Sequence, residues 1–132
     1  MPKSELPECD KEIKFKKWTD CYGTHEYKNG IIYIGEWLKG KSHGQGKMTF
    51  ESGAIYIGEW KKDRRDGKGF ETYIDSGNPK SQVWYEGEFK KGKRHGQGTG
   101  YWADGATYVG AVKRSISWTR NFYRAKRCSL GR

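Results

Sequence analysis

The sequence predicts an all-β protein, an elongated and twisted single-layer antiparallel sheet of stacked β-hairpins with one hairpin per repeat. Three observations carry this prediction. The stretch Tyr33-Ile34-Gly35-Glu36-Trp37 returns as Tyr56-Ile57-Gly58-Glu59-Trp60 and again as Tyr85-Glu86-Gly87-Glu88-Phe89, and recurrence of this kind marks a repeat architecture. Inside each copy Tyr33, Gly35 and Trp37 alternate with Ile34, Glu36 and Leu38, the period of two that defines a strand. Finally, only 33% of the 132 residues are hydrophobic, while 19 are glycine and 15% are aromatic. That mixture suits a thin sheet whose rings stack from repeat to repeat better than a thick core. The length allows one domain.

Taken in order, residues 1–14 are polar, with prolines at 2 and 7, and read as a flexible lead-in. Phe15 and Trp18 are candidates to pack on the first repeat as a cap. Residues 20–32 form a half repeat, because Gly23, Tyr27 and Gly30 stand 23 residues before Gly46, Phe50 and Gly53. The first full repeat spans 33–55. Lys39-Gly-Lys-Ser-His43 is expected to be its hairpin loop, and Gly44, Gly46, Met48 and Phe50 lie on the returning strand. A hairpin centred between Gly40 and Lys41 sets Gly35 opposite Gly46 and Trp37 opposite Gly44, placing large rings over residues without side chains. The second repeat spans 56–78, followed by an inserted loop, rich in turn formers, to 84. The third spans 85–107. Tyr108-Val-Gly110 opens a fourth copy that decays, so the array of 15–112 ends in a stub at 108–112, and 113–132 form a basic tail.

The composite pattern is Y-x-G-E-W, six residues, G-x-G, three residues, an aromatic, two residues and Gly. It resembles the MORN (membrane occupation and recognition nexus) repeat over roughly 20–112. The insertion at 74–84 and the run Gly53-Ala-Ile-Tyr56 are also similar to MORN proteins of sperm and cilia. The resemblance implies a scaffold at cytoskeletal, ciliary or flagellar, or membrane-associated assemblies, in a cytoplasmic setting. MORN arrays also resemble those joined to lipid kinases and to a lysine methyltransferase, but no catalytic domain is recognisable in this sequence.

The formal charge of +10 raises the question of an anionic partner. Seven of the 26 bases lie in 113–132, which holds no acid, leaving 19 bases against 16 acids elsewhere. The basic character therefore belongs mainly to the tail, and nucleic acid is not the expected partner. No apolar run approaches the roughly 20 residues of a membrane span, and the N-terminal residues lack the apolar core of a secretory signal. Cys9, Cys21 and Cys128 are odd in number and lack metal-ligand spacing, so reduced thiols are expected.

No residue set announces chemistry. His43 and His95 share one repeat phase that Asp66 occupies in the second copy, which reads as a turn position. Glu36, Glu59 and Glu88 lie one repeat apart, too far to share a proton, and read as cross-strand or solvated charge. The Gly-x-Gly pairs precede no helix, so they are not dinucleotide loops, and no G-x-S-x-G nucleophile motif occurs. Neither enzyme activity, a cofactor nor a metal is expected.

Two binding surfaces are expected instead. Tyr33, Trp37, Tyr56, Trp60, Tyr85 and Phe89 are mostly core by default, with some rings available to line a groove for protein partners. Lys61, Lys62, Arg64 and Arg65, then Lys90, Lys91, Lys93 and Arg94, recur at the hairpin loops. They read either as a solvated edge that discourages aggregation or as an anion-binding rim for phospholipid headgroups. In the tail, Arg120, Arg124, Lys126 and Arg127 accompany Trp118 and Phe122 at helical spacing, a pattern shared by membrane-surface helices, with a disordered or capping tail as the alternative. A non-catalytic protein-binding scaffold is thus the first reading and an anionic-membrane module the alternative, with a homodimer left open.

Overall fold

The computed structural model describes residues 4–73 and 81–112. These residues form one open antiparallel sheet of eight strands in sequential order. The strands are β1 (Cys21–Glu26), β2 (Ile32–Leu38), β3 (Lys41–Thr49), β4 (Ile55–Lys61), β5 (Arg64–Thr72), β6 (Gln82–Lys90), β7 (Lys93–Trp102) and β8 (Thr107–Val112). Before them stands one 3-10 turn, Phe15–Lys17.

Two kinds of turn link the strands, one at each edge. Within a repeat, Lys39-Gly40, Lys62-Asp63 and Lys91-Gly92 are two-residue turns with positive φ at both positions. This mirror-image geometry matches the twist of the flanking strands. The loops expected at Lys39–His43 and its equivalents are therefore shorter than the sequence suggests, and Lys41, Ser42 and His43 already belong to β3. Between repeats, Gly30, Gly53 and Gly105 close the opposite turns, donating to the carbonyls of Tyr27, Phe50 and Trp102 at 2.9–3.0 Å. The inserted loop is also shorter at its end, since β6 begins at Gln82, two residues before the expected boundary at 84.

The register confirms Gly35 opposite Gly46 and corrects the position of the tryptophan. Trp37 faces Ser42, and Gly44 pairs instead with Trp60 of the next repeat. The cause is a β-bulge in which Glu36 alone spans His43, Gly44 and Gln45. The second hairpin repeats it, with Glu59 opposite Asp66, Gly67 and Lys68. His43, Asp66 and His95 consequently lie in strands at the bulge, not in the turn. In these two hairpins the bulge is held by its acid. The Glu36 carboxylate accepts the Gln45 N–H at 2.9 Å, and that of Glu59 accepts the Lys68 N–H at 2.8 Å. The first glycine of each Gly-x-Gly pair sits in the left-handed region (Gly44 φ 68°, Gly67 φ 99°, Gly96 φ 58°), where a side chain would also meet the glutamate. The Glu stripe is thus cross-strand charge with a defined structural partner.

The second glycine does different work. A Cβ on Gly46, Gly69 or Gly98 would collide with the phenol ring of Tyr33, Tyr56 or Tyr85 respectively. The ring laid over glycine is the tyrosine, not the tryptophan that the simple hairpin count suggested. Each phenol hydroxyl then donates to the carbonyl three residues ahead, Glu36, Glu59 and Glu88, at 2.8–3.0 Å. The indoles tie one repeat to the previous one, Trp37 donating to the Gly23 carbonyl at 3.0 Å and Trp60 to that of Gly46 at 3.1 Å.

The N-terminal lead-in differs from expectation. Glu8 bridges Tyr22 in parallel, Cys9 N–H donates to the Tyr22 carbonyl and Tyr22 N–H to that of Pro7, both at 2.8 Å. This places Cys9 beside Cys21, and the two form a disulfide where reduced thiols were expected. Cys128 lies outside the described residues. Cys9 and Trp18 cover Gly23 as the tyrosines cover the later glycines. Trp18 and Phe15 both pack edge-on against Trp37, at 5.2 and 5.7 Å, forming the expected cap.

Gly46→Val and Gly69→Val should each cost about 1–3 kcal/mol or more, because the branched side chain must displace a locked phenol ring. Gly92→Asn should cost under about 1 kcal/mol, since nothing lies within 4 Å of a Cβ there and Asn tolerates a positive φ. Equal shifts in thermal midpoint for all three variants would contradict the ring-over-glycine packing.

Candidate functional site

The sheet has two unlike faces. On one, here the ring face, Tyr33, Trp37, Tyr56, Trp60, Tyr85 and Phe89 interlock edge-to-face along the array. The centroid distances are 5.1 Å for Tyr33–Trp37, 5.4 Å for Tyr33–Trp60, 5.0 Å for Tyr56–Trp60, 5.0 Å for Tyr56–Phe89 and 5.2 Å for Tyr85–Phe89. Such contacts add about 0.5–1.5 kcal/mol each beyond area burial. All six rings are at most 5% exposed. They are the core of the sheet and cannot line an open groove for a partner, which corrects that expectation.

What does reach the surface on the ring face is the next tier. Tyr27, Met48, Phe50 and Tyr73 pack against the core and stay partly exposed. Tyr27, Ile31 and Met48 line a recess of about 540 Å³, with Lys28, Asn29, Ser42 and Asp63 as polar members. Two of these are bonded to each other, since the Asp63 carboxylate accepts the Ser42 N–H at 2.7 Å and the Ser42 hydroxyl at 3.0 Å. This link between consecutive repeats belongs to a series. The second residue of each tight turn donates its N–H one repeat back, Gly40 to Trp18, Asp63 to Ser42 and Gly92 to Arg65, at 2.7–3.1 Å.

The basic candidates divide. Lys61, Lys62, Arg64, Lys90, Lys91 and Lys93 are exposed at the tight-turn edge. Arg65 and Arg94 are not part of that rim. Because each hairpin turn is only two residues long, Arg65 faces Trp60 and Arg94 faces Phe89, and both point onto the ring face. Arg65 forms an ion pair with Glu71, donates to the Gly92 carbonyl at 2.6 Å, and lies 5.5 Å over the Phe89 ring and 5.9 Å over Tyr56. Arg94 donates to Gln82 Oε1 at 2.7 Å and lies 5.6 Å over Tyr85 and 5.9 Å over Tyr73. Glu71, 7% exposed, also accepts the Tyr73 hydroxyl at 2.6 Å. Arg120, Arg124, Lys126 and Arg127 lie outside the described residues.

Burial governs the titration of this face. It pushes the Tyr27 and Tyr85 hydroxyls up to about 12, with Asp63 adding to it at Tyr27 and Arg94 opposing it at Tyr85. It raises Tyr33 and Tyr56 further. Burial also lowers the pKa of His25, against the pull of Glu26, and the His25 ring is stacked on Phe15 at 3.6 Å. Among the described residues no group of three or more His, Cys, Asp or Glu side chains is placed to hold a metal, and no helix is long and apolar enough to cross a membrane.

The opposite face carries a feature that sequence reading missed. Trp84 stacks on Tyr101 at 5.5 Å with planes 8° apart, and Phe70 lies 5.8 Å from Trp84. These residues fall on the Ile34 and Ile57 side of the strands, so the alternation read in the first repeat contained the signal.

A sheet of sequential hairpins, each tied to the last through a tyrosine, a glycine pair and a turn, defines an extended β-repeat protein. The sequence model of the MORN repeat matches residues 33–55, 56–77 and 85–107. These matches cover half of the chain, which belongs to the MORN repeat family. No curated protein matches it. The MORN repeat is a repeat module and not a known catalytic fold.

The raised tyrosine pKa values set an alkaline limit. A hydroxyl whose folded pKa exceeds its unfolded value of about 10 binds its proton more tightly in the folded state. Its contribution is therefore complete below pH 10 and is lost as pH climbs through 12. Tyrosinate absorbance should rise together with loss of the sheet circular dichroism signal. A full titration of all tyrosines near pH 10 with the sheet intact would contradict this.

Proposed function

We propose that this chain is a non-catalytic scaffold that binds protein partners along the ring face, in cytoskeletal, ciliary or flagellar, or membrane-associated assemblies. MORN repeats are generally linked to membrane and protein interactions. The observation that carries the reading is the recess of about 540 Å³ bounded by Tyr27, Ile31 and Met48, with Lys28, Asn29, Ser42 and Asp63 as its polar members. An apolar concavity with a few fixed polar groups is the usual form of a binding site, and partly exposed Tyr and Met suit a protein anchor. The setting is cytoplasmic in this reading.

The row of exposed bases at the tight-turn edge favours a second reading, contact with anionic phospholipid. Each base near such a surface contributes about 1 kcal/mol, screened over about 8 Å at physiological salt.

Affinity capture from ciliated tissue, with wild type beside an Ile31→Glu/Met48→Glu variant of unchanged melting temperature, tests the scaffold. Loss of specific partners from the variant is expected, and retention of all of them would remove the ring face as the binding surface. Co-sedimentation with phosphatidylserine vesicles separates the second reading. Binding at physiological salt that disappears when Lys61, Lys62, Arg64, Lys90, Lys91 and Lys93 become Gln would favour the membrane module.

A further inference from the structure

The buried core lies wholly on the ring face, so the opposite face of the sheet keeps its apolar side chains at the surface. Ile34, Ile57, Phe70, Trp84 and Tyr101 are all partly exposed there, and Val109 is 55% exposed. Ladder pairing sets one row of side chains across the middle of this face. It reads Thr24, Ile34, Lys47 and Ile57 on β1 to β4, then Phe70, Glu86, Thr99 and Val109 on β5 to β8. Its two charges stand apart. Lys47 on β3 and Glu86 on β6 are separated by roughly 14 Å across the sheet, too far to pair within one chain, and neither forms an ion pair among the described residues.

We propose that this face is an interface between two copies of the chain, packed sheet on sheet about a twofold axis that runs along the strands between β4 and β5. The inference goes beyond the scaffold reading and does not rest on it, since both ring faces stay outward in such a dimer.

The axis divides the eight sequential strands four and four. It sets β4 of one copy over β5 of the other, and β3 over β6. A twofold contact is formed twice, residue i on j and j on i. Along the middle row Ile57 then meets Phe70, Ile34 meets Thr99, and Lys47 meets Glu86. In the flanking rows Thr49 on β3 meets Trp84 on β6, and Lys68 on β5 meets Glu59 on β4, whose carboxylate is already oriented by the Lys68 N–H of its own chain at 2.8 Å. An axis across the strands through the middle row would instead set Lys47 on Lys47 and Glu86 on Glu86. Charge therefore selects one orientation, and it is the one that suits a second copy of this chain in particular. Sheets stacked this way lie about 10 Å apart. The exposed lysines of the two tight-turn edges come no closer than that, where salt screens them over about 8 Å. The lead-in enters the face only at one corner, where the Ser4 hydroxyl donates to Glu36 at 2.7 Å. With that corner set aside, the strand spacing and rise leave roughly 600 Å² on each copy, which reaches the lower end of stable interfaces at about 1,200 Å² in total.

The test is analytical ultracentrifugation of the full chain over a dilution series, with non-reducing gels to exclude a dimer linked through cysteine. Wild type is expected to sediment as a dimer that dissociates on dilution. Lys47→Glu and Glu86→Lys should each weaken it at least about tenfold, or about 1.4 kcal/mol, because each sets like charges together at both symmetric contacts. An equimolar mixture of the two variants should recover the dimer, since every Lys47–Glu86 contact between unlike copies is then attractive. The double variant should recover it as well. A misfolded variant cannot be rescued by mixing, so recovery separates the contact from a folding defect. A wild type that stays monomeric at its highest soluble concentration would overturn the proposal and leave the face to another occupant. A dimer indifferent to both substitutions would place the contact elsewhere on the chain, and single variants that weaken without recovery on mixing would overturn the twofold pairing.

Discussion

The contact on which the rest of the structure depends is the phenol ring of Tyr33, Tyr56 or Tyr85 lying against a pair of glycines. Gly35 faces Gly46, Gly58 faces Gly69 and Gly87 faces Gly98 across the ladder, and no side chain separates ring from backbone. The ring lies flat on the sheet, its hydroxyl bonded three residues ahead. A slip of one residue would carry the whole ring set to the other face and set the phenol against side chains. Register is thereby fixed by shape in a chain with few aliphatic residues. The same geometry explains how rings in a single layer become fully buried. All three are floored by glycine backbone and walled by the Trp or Phe of their own repeat, and Tyr33 and Tyr56 are closed by the aromatic of the next.

Continuity along the array comes from bonds that cross repeat boundaries. The indole of Trp60 reaches the Gly46 carbonyl, and the tight turns reach back to Trp18, Ser42 and Arg65. Phe89 has no N–H to repeat the indole bond. At that boundary Arg65 pairs with Glu71 and bonds to the Gly92 carbonyl instead. Nearest-neighbour links of this kind let stability accumulate repeat by repeat. At the N-terminal end the series is closed by different means. Gly23 is covered by Cys9 and Trp18 where a tyrosine would stand, and Tyr22 is bridged by Glu8.

The sheet, its hairpin order and the Gly35–Gly46 register were legible because period, alternation and glycine phase all pointed one way. The bulge was not. A count outward from the turn assumes one residue opposite one, and Glu36 opposite three residues moves Trp37 from Gly44 to Ser42. Its signal was the recurring Glu beside Gly-x-Gly, read as charge alone and not as a carboxylate capping a backbone N–H. The disulfide was hidden for another reason. Cys9 reaches Cys21 only through a parallel bridge that no local pattern announces. Arg65 and Arg94 were read as loop bases because Lys61–Arg65 looked like one long turn. A two-residue turn at Lys62-Asp63 reverses that conclusion, since it puts Arg65 directly opposite Trp60.

This last correction relocates where specificity can reside. The residues that define the repeat are occupied by the repeat itself. The tyrosines cover glycines, the glutamates hold bulges, and the tryptophans bind the previous copy. The phases that vary on this face are Ser42, Arg65 and Arg94 in one row, with Met48, Glu71 and Gly100 in the next. The partly exposed aromatics at the turns, Phe50 and Tyr73, flank these rows from the sheet margin. Moving along the ring face changes Ser42 and Met48 to the ion pair of Arg65 and Glu71 within one repeat, while the backbone beneath stays the same. A uniform scaffold can thus present a directional surface, because the strand geometry that fixes the frame also fixes the distance between unlike residues.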